Sequence, residues 1–220
     1  MTPRRRAEHL ERSALRNFER LIRLSTMASA GSWDRVSEDI VSYVAIEAQN
    51  TWGNFVRAYV LSCWRGVRLR SGAQVGIAPT FPPRTENEFL GWAINRYRKP
   101  KNKVRPGPKG EYPSRDEPAW FKLQTLLDLV SDMGCSNEAE IRIAVSSKPT
   151  VFGQLPTFRN FFAHRNRFTQ TDAVTAASSL GLPSGLGPAS ALVYRPPTRS
   201  VSTLDEWLLD LQEAVKALCA

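Results

Sequence analysis

The chain has 220 residues, of which 42% are hydrophobic and 23% charged, and its formal net charge is +9. These values are typical of one folded domain, which we expect to span residues 1–220 around a single core. No segment approaches the roughly 20 apolar residues needed to cross a bilayer, and no apolar run follows the basic start as it does in a secretory signal. The positive charge favours an anionic partner, either nucleic acid or an acidic protein.

The cysteines are Cys63, Cys135 and Cys219. They are far apart in sequence and odd in number, and no CxxC spacing occurs, so reduced thiols in a cytoplasmic protein are expected. The sequence shows no spacing typical of metal ligands and no glycine-rich phosphate loop. We therefore expect neither a metal nor another cofactor.

In chain order, the first two predicted helices cover residues 3–27 and 33–70, and Ser32 is the expected N-cap of the second. Apolar residues recur at helical spacing along both segments. The second is longer than most globular helices, so it is expected to be the spine of a bundle or part of a subunit interface. Its polar side carries Asn50 and Arg57, which are candidates for lining an RNA site.

A helix over 85–97 leads to the most basic segment of the chain, which is an expected loop insertion at about 98–117. Prolines, glycines and cations dominate it, and such a composition cannot form a core. Cations next to aromatic rings suit RNA, because cations bind phosphates and rings stack on bases. The candidate RNA-binding residues of this loop are Lys99, Lys101, Lys103 and Arg105.

The second half predicts four further helices: 118–133, 136–146, 157–168 and a last one that begins at a Thr203–Glu206 capping box. A Gly-, Pro- and Ser-rich loop is expected at about 181–200. No segment alternates convincingly as a strand. The fold class is therefore all-α, a bundle of about five to seven helices with two Pro- and Gly-rich loop excursions.

The stretch from Phe158 to Asn166 combines an aromatic side with a cationic side. At 3.6 residues per turn, the side expected to be buried carries Phe158, Phe161, Phe162 and Phe168. The opposite side carries Arg159, Asn160 and His164, and the last two are one turn apart. Thr157 is the expected N-cap of this helix.

The sequence Arg-Asn-x-x-x-His, formed by Arg159, Asn160 and His164, resembles the signature of the HEPN superfamily, the higher-eukaryote and prokaryote nucleotide-binding domains. The likeness covers the motif helix and, more loosely, the helical bundle around it. Many members of that superfamily are ribonucleases, so the resemblance implies an endoribonuclease. The chain has one other Arg–His pair at this spacing, Arg4 and His9, but there the arginine is followed by Arg5 rather than by an uncharged polar residue.

These residue types suit RNA cleavage without a metal, because RNA carries its own nucleophile, the 2′-hydroxyl. A neutral His164 is expected to act as the base, since Arg159 and Arg165 disfavour its charged form. Arg159 is expected to stabilise the charged phosphate oxygens, while Asn160 orients His164 or holds a phosphate oxygen. The products would be a 2′,3′-cyclic phosphate and a 5′-hydroxyl, with Arg165 and Arg167 as further RNA contacts.

The resemblance also implies a two-fold homodimer in which both motif helices form one composite site. It implies a role as toxin or effector in a bacterial toxin–antitoxin or antiviral defence system, with a cognate antitoxin or regulatory protein. Two alternatives remain open from the residues. One is a module of the same fold that binds RNA or nucleotide without cutting it, and the other is a helical partner of an acidic chain.

Overall fold

The computed structural model describes residues 6–30, 33–96, 98–108, 110–183, 185–195, 197 and 199–220. Within these ranges the chain is helical and contains no strand, which confirms the prediction of an all-α fold. The helices are α1 (Ala7–Ala30), α2 (Arg35–Trp64), α3 (Glu86–Asn95), α4 (Leu123–Asp132), α5 (Glu138–Ser146), α6 (Pro149–His164), α7 (Arg167–Ser179), α8 (Pro188–Val193) and α9 (Thr203–Cys219). Two short 3-10 turns, Pro100–Asn102 and Ser114–Asp116, lie between α3 and α4.

Helices α1 and α2 are antiparallel neighbours, and α9 packs against α1. The start of α1 meets the chain beyond the end of α2, where the backbone N–H of Ala7 donates to the carbonyl of Arg68 at 2.9 Å. The end of α9 reaches the same region, since Arg70 donates its N–H to the carbonyl of Cys219 at 2.9 Å. The apolar side of α9 is buried along its whole length and consists of Leu204, Trp207, Leu208, Leu211, Val215 and Leu218.

Helix α2 is shorter than predicted at both ends. Its N-cap is Asp34, whose carboxylate accepts from the backbone N–H of Ser37 at 2.8 Å, and the predicted cap Ser32 lies outside the described residues. The helix ends at Trp64 rather than at residue 70, because Gly66 takes a φ of +76°. Glycine adopts that left-handed conformation without a steric penalty, and it commonly ends helices.

Helix α6 begins eight residues earlier than position 157, where the sequence placed its start. Lys148 is its N-cap and Pro149 its first residue, a position that proline favours because its missing N–H would have no helical partner there. Pro156 lies inside the helix, so Thr157 is not a cap. The buried stripe continues across the proline through Val151, Leu155, Phe158 and Phe162, and this packing outweighs the lost backbone hydrogen bond.

The last third of the chain contains two helices beyond those predicted, α7 and α8. Helix α8 lies inside the expected loop at 181–200, and it begins at Pro188. The N-cap of α9 is Ser202, whose hydroxyl accepts from the N–H of Asp205 at 3.1 Å. The predicted Thr203–Glu206 capping box is therefore wrong by one residue.

The three cysteines are buried and free. Burial raises the pKa of the Cys219 thiol to about 12 and that of Cys63 well above its usual value. Such thiols stay protonated near neutral pH and react slowly. None of the described helices combines the length and apolarity that a membrane crossing requires.

Candidate functional site

A cleft of about 940 Å³ opens between α2, α6, α7 and the segment that precedes α4. It brings together three of the residues that the sequence predicted for the site, namely Asn50 from α2 and Arg159 and Asn160 from α6. Protein clefts that bind small ligands have volumes of about 300–1,000 Å³. The cleft is therefore large enough to receive a nucleotide.

One wall of the cleft is the segment 118–122, which packs directly on α2. The indole N–H of Trp52 donates to the carbonyl of Phe121 at 3.2 Å. A Cβ atom added to Gly53 would lie 3.5 Å from the backbone nitrogen of Phe121, so glycine lets the two backbones approach closely. Gly53 thus marks a contact between helix and loop rather than the crossing of two helices.

The side chain of Arg159 is half-buried on the inner side of the cleft. Its Nε is closed off from solvent and has no hydrogen-bond partner, and no carboxylate among the described residues forms an ion pair with it. Leaving such a donor unsatisfied costs about 1–3 kcal/mol. An external acceptor such as a phosphate oxygen would remove that cost, and the planar guanidinium is suited to bind one.

His164 is the last residue of α6 and is exposed, one turn beyond Asn160. It is not among the residues that line the cleft, and it forms no hydrogen bond to Asn160 or to any other described residue. The structure therefore places Arg159 and Asn160 in the cleft and His164 beyond it on the same helix. Catalytic hydrogen bonds often form only when the substrate is bound.

Arg165 joins α6 to α7 in an unusual backbone conformation. Its φ of 44° is the one positive value at a non-glycine position in the described part of the chain, and its N–H donates to the carbonyl of Phe161 at 2.7 Å. The side chain turns towards α2, where its guanidinium lies 3.6 Å from Glu38 and 3.4 Å from Asp39. This predicted RNA-binding residue thus fixes the end of the motif helix against α2.

The residue after Arg165, Asn166, caps α7, and its side chain accepts a hydrogen bond from the N–H of Thr169 at 3.0 Å. Arg167, the first residue of α7, is exposed and has no ion-pair partner within the described chain. Phe168 is 83% exposed, so its predicted place in the core is wrong. The turn at Arg165 ends the helical periodicity that would have put Phe168 beside Phe158.

The structure separates the two α2 residues that were predicted to lie together. Asn50 lines the cleft and donates from Nδ2 to Glu47 Oε1 at 2.9 Å. Arg57 is instead bound to Glu117, with Nε 2.6 Å from Oε2, and it is not among the lining residues. The ion pair ties α2 to the chain just before the cleft wall.

The basic loop is held to the bundle at several points. Asn95 donates from Nδ2 to the carbonyl of Val104 at 3.0 Å and accepts from its N–H at 2.7 Å. A Cβ atom at Gly91 would lie 2.5 Å from the ring of Tyr112, which shows how tightly that ring packs on α3.

The four predicted RNA contacts of the loop, Lys99, Lys101, Lys103 and Arg105, are exposed and lack ion-pair partners in the described chain. They do not line the cleft.

The cleft is also lined by polar residues that were not predicted for the site: Glu47, Gln49, Asn54, Lys122, Thr157 and Asp172. Glu47 shares a helical face with Asn50, so spacing alone could have found it. Lys122 and Asp172 reach the cleft only through tertiary packing, and no local pattern indicates them. In the other Arg–His pair, His9 is exposed on α1 and does not line the cleft, and Arg4 lies outside the described residues.

No group of three or more His, Cys, Asp or Glu side chains in the described ranges is placed to hold a metal ion. The chain matches no protein-family model, and neither a curated protein nor a solved structure is significantly similar to it. The assignment of a function therefore depends on the motif and on the geometry of the cleft.

Proposed function

We propose that the protein is an endoribonuclease of HEPN type that cuts RNA through attack by the 2′-hydroxyl. The observation that carries this proposal is Arg159, which is half-buried and lines the cleft beside Asn160, and whose Nε has no hydrogen-bond partner among the described residues. A phosphate is the natural acceptor for such a group. His164 lies one turn away on the same helix and supplies a proton carrier that works near neutral pH.

In the proposed reaction, the neutral imidazole of His164 removes the proton of the 2′-hydroxyl. The 2′-oxygen then forms a bond to phosphorus, and the bond from phosphorus to the 5′-oxygen breaks. Arg159 stabilises the additional negative charge on the phosphate oxygens, and Asn160 orients the phosphate. A second acid protonates the leaving 5′-oxygen, which gives a 2′,3′-cyclic phosphate and a 5′-hydroxyl without a metal.

The second acid points to a homodimer, because each chain offers one histidine at this site. A two-fold axis near the end of α6 would bring His164 of one chain close to its symmetry mate. Support for this placement comes from exposure, since His164, Arg167 and Phe168 are all exposed around the joint between α6 and α7. A role as toxin or antiviral effector, restrained by a cognate protein, is part of the same proposal.

A second candidate function is RNA or nucleotide binding without cleavage. One observation favours it: His164 does not line the cleft and has no hydrogen-bond partner among the described residues. In that case Arg159 and Asn160 would hold a phosphate, and His164 would be an ordinary surface residue.

The test is to incubate the wild type, His164→Ala and His9→Ala with total RNA in excess EDTA and to map the cut ends. The control His9→Ala removes the other histidine, which is exposed on α1. The proposal expects cutting by the wild type and by His9→Ala but not by His164→Ala, with cyclic phosphates at the ends. Equal cutting by all three would overturn it, and bound but uncut RNA would favour the second candidate.

A further inference from the structure

The cleft contains carboxylates that the proposed binding of phosphate does not explain. Glu47 and Asp172 both line it, and neither forms an ion pair within the described residues. An anionic side chain repels a phosphate and raises the cost of bringing RNA into the cleft. A carboxylate in such a place suits a hydrogen-bond donor, and RNA offers such donors on its base edges and at its 2′-hydroxyl groups.

A hydrogen bond within α2 orients Glu47 for that contact. Its Oε1 accepts from the amide nitrogen of Asn50 at 2.9 Å, and this bond also directs the Asn50 oxygen away from Glu47. This part of α2 therefore offers acceptors to the cleft: the carboxylate and the amide oxygen. Base edges rich in donors complement it, and edges with two carbonyl groups do not.

A second observation comes from the adjacent residue, Gln49. Its side chain is buried, with 6% of the residue exposed, and it lines the cleft. Its Oε1 is closed off from solvent and receives no hydrogen bond from any residue in the described part of the chain. Buried polar side chains in proteins nearly always have partners, so an unpartnered amide at the wall of a cleft indicates a polar ligand there.

We infer that the cleft binds a guanine base of the RNA, and that Glu47 accepts hydrogen bonds from its N1–H and from its exocyclic amino group. Guanine presents these two donors side by side, which matches the two oxygens of a carboxylate. Adenine and cytosine present one amino group on the corresponding edge, and uracil presents an N–H between two carbonyls. Asn50 is a positioning residue, because it acts by orienting Glu47. The inference rests on the proposed function, since it assumes that RNA enters this cleft.

The test compares the binding of 5′-GMP and 5′-IMP to the full chain by calorimetric titration. IMP lacks the exocyclic amino group, so it removes one of the two proposed hydrogen bonds. The expected result is that GMP binds about tenfold more tightly than IMP, which corresponds to one hydrogen bond to a charged acceptor. Neither nucleotide has a bond that the proposed reaction could cut, so this readout does not depend on ribonuclease activity.

The variants are Glu47→Gln, which keeps the shape of the side chain and removes its charge, and Glu140→Gln on the exposed surface of α5. The preference for GMP should vanish in Glu47→Gln and persist in Glu140→Gln. Equal binding of the two nucleotides by the wild type, a preference that survives Glu47→Gln, or no binding of GMP would each overturn the inference. RNA cleavage without a dependence on guanine would overturn it while the proposed function stands.

Discussion

Arg57 binds Glu117 through two hydrogen bonds, Nε to Oε2 at 2.6 Å and Nη2 to Oε1 at 2.9 Å. The indole N–H of Trp120 donates to the same carboxylate at 2.7 Å. The Glu117 side chain is 11% exposed and that of Arg57 34%. Since Trp120 belongs to the wall of the cleft, this carboxylate connects α2 to the wall and helps to keep the cleft in shape.

We expect Glu117→Gln to lower the free energy of unfolding at neutral pH by about 1–2 kcal/mol, because it leaves three N–H donors, two from Arg57 and one from Trp120, without an ionised acceptor. Burial acts to raise the pKa of Glu117, but the hydrogen bonds from Arg57 and Trp120 outweigh it and hold the pKa below its usual 4.5. A lowered pKa stabilises the fold above 4.5, and that stability is lost as pH falls through the folded-state value. The difference between variant and wild type should therefore shrink below pH 4.5 in urea unfolding.

The matched control is Glu138→Gln. It removes the carboxylate of an exposed ion pair with Arg142, which lies four residues later in α5 and has its Nη2 2.8 Å from Glu138 Oε1. Such pairs contribute about 0.3–0.5 kcal/mol. A Glu117→Gln chain that is no less stable than this control at neutral pH would contradict the prediction.

Arg165 provides a test of backbone strain at the motif. Arg165→Ala and Arg165→Gly both remove the ion pairs with Glu38 and Asp39, so the two variants differ mainly in the backbone. At a φ of 44° a side chain is disfavoured, and glycine is not. Arg165→Gly should be more stable than Arg165→Ala by about 1 kcal/mol in urea unfolding. The reverse order would show that the left-handed joint is not strained.

Phe168 is expected to serve binding rather than folding. Phe168→Ser should change the free energy of unfolding by no more than about 0.5 kcal/mol, because the ring is 83% exposed. Phe158→Ala, which empties a buried site against Trp207, should cost about 3–5 kcal/mol. In sedimentation velocity, Phe168→Ser should weaken the proposed dimer. A variant that dimerises as well as the wild type would place the interface elsewhere.

The exposed lysines of the basic loop lead to a prediction about the salt dependence of RNA binding. If Lys101 and Lys103 each neutralise one phosphate, the double variant Lys101→Gln/Lys103→Gln should reduce the slope of log K against log salt by about 1.4, at about 0.7 per phosphate of single-stranded RNA. The measurement is RNA binding by fluorescence anisotropy over a range of salt concentrations. The control is Lys216→Gln, an exposed cation on α9, which should leave the slope unchanged. An unaltered slope in the double variant would mean that Lys101 and Lys103 do not contact RNA phosphates.

Helical periodicity was sufficient to predict the fold class and most of the core, since the stripes of α1, α2 and α9 are buried as expected. The predicted start of α6 is wrong, because the local effect of Pro156 favours a helix boundary there. The spacing of Val151, Leu155, Phe158 and Phe162 continues through the proline, so the longer helix was present in the pattern. The helix continues through Pro156 because the packing of these apolar side chains outweighs the local effect of the proline.

The candidate site was predictable only in part. Arg159, Asn160 and Asn50 share the cleft, because each lies on the polar side of its helix, and that side is set by the helical spacing even where the predicted helix bounds are wrong. The exposure of Phe168 could not be predicted, since the left-handed turn occurs at Arg165 rather than at a glycine, and no proline next to it marks a helix end. The cleft wall at 118–122 depends on contacts far apart in sequence, such as Trp52 with Phe121.

The two hydrogen bonds between Asn95 and Val104 also predict how the protein responds to limited proteolysis. Trypsin cuts poorly before proline, and Lys99 and Arg105 each precede one. Between Lys99 and Arg105, the peptide bonds after Lys101 and Lys103 are then the ones that trypsin is expected to cut. A chain nicked after Lys103 would keep Val104 bound to Asn95 across the cut, so the two fragments should remain associated until they are denatured.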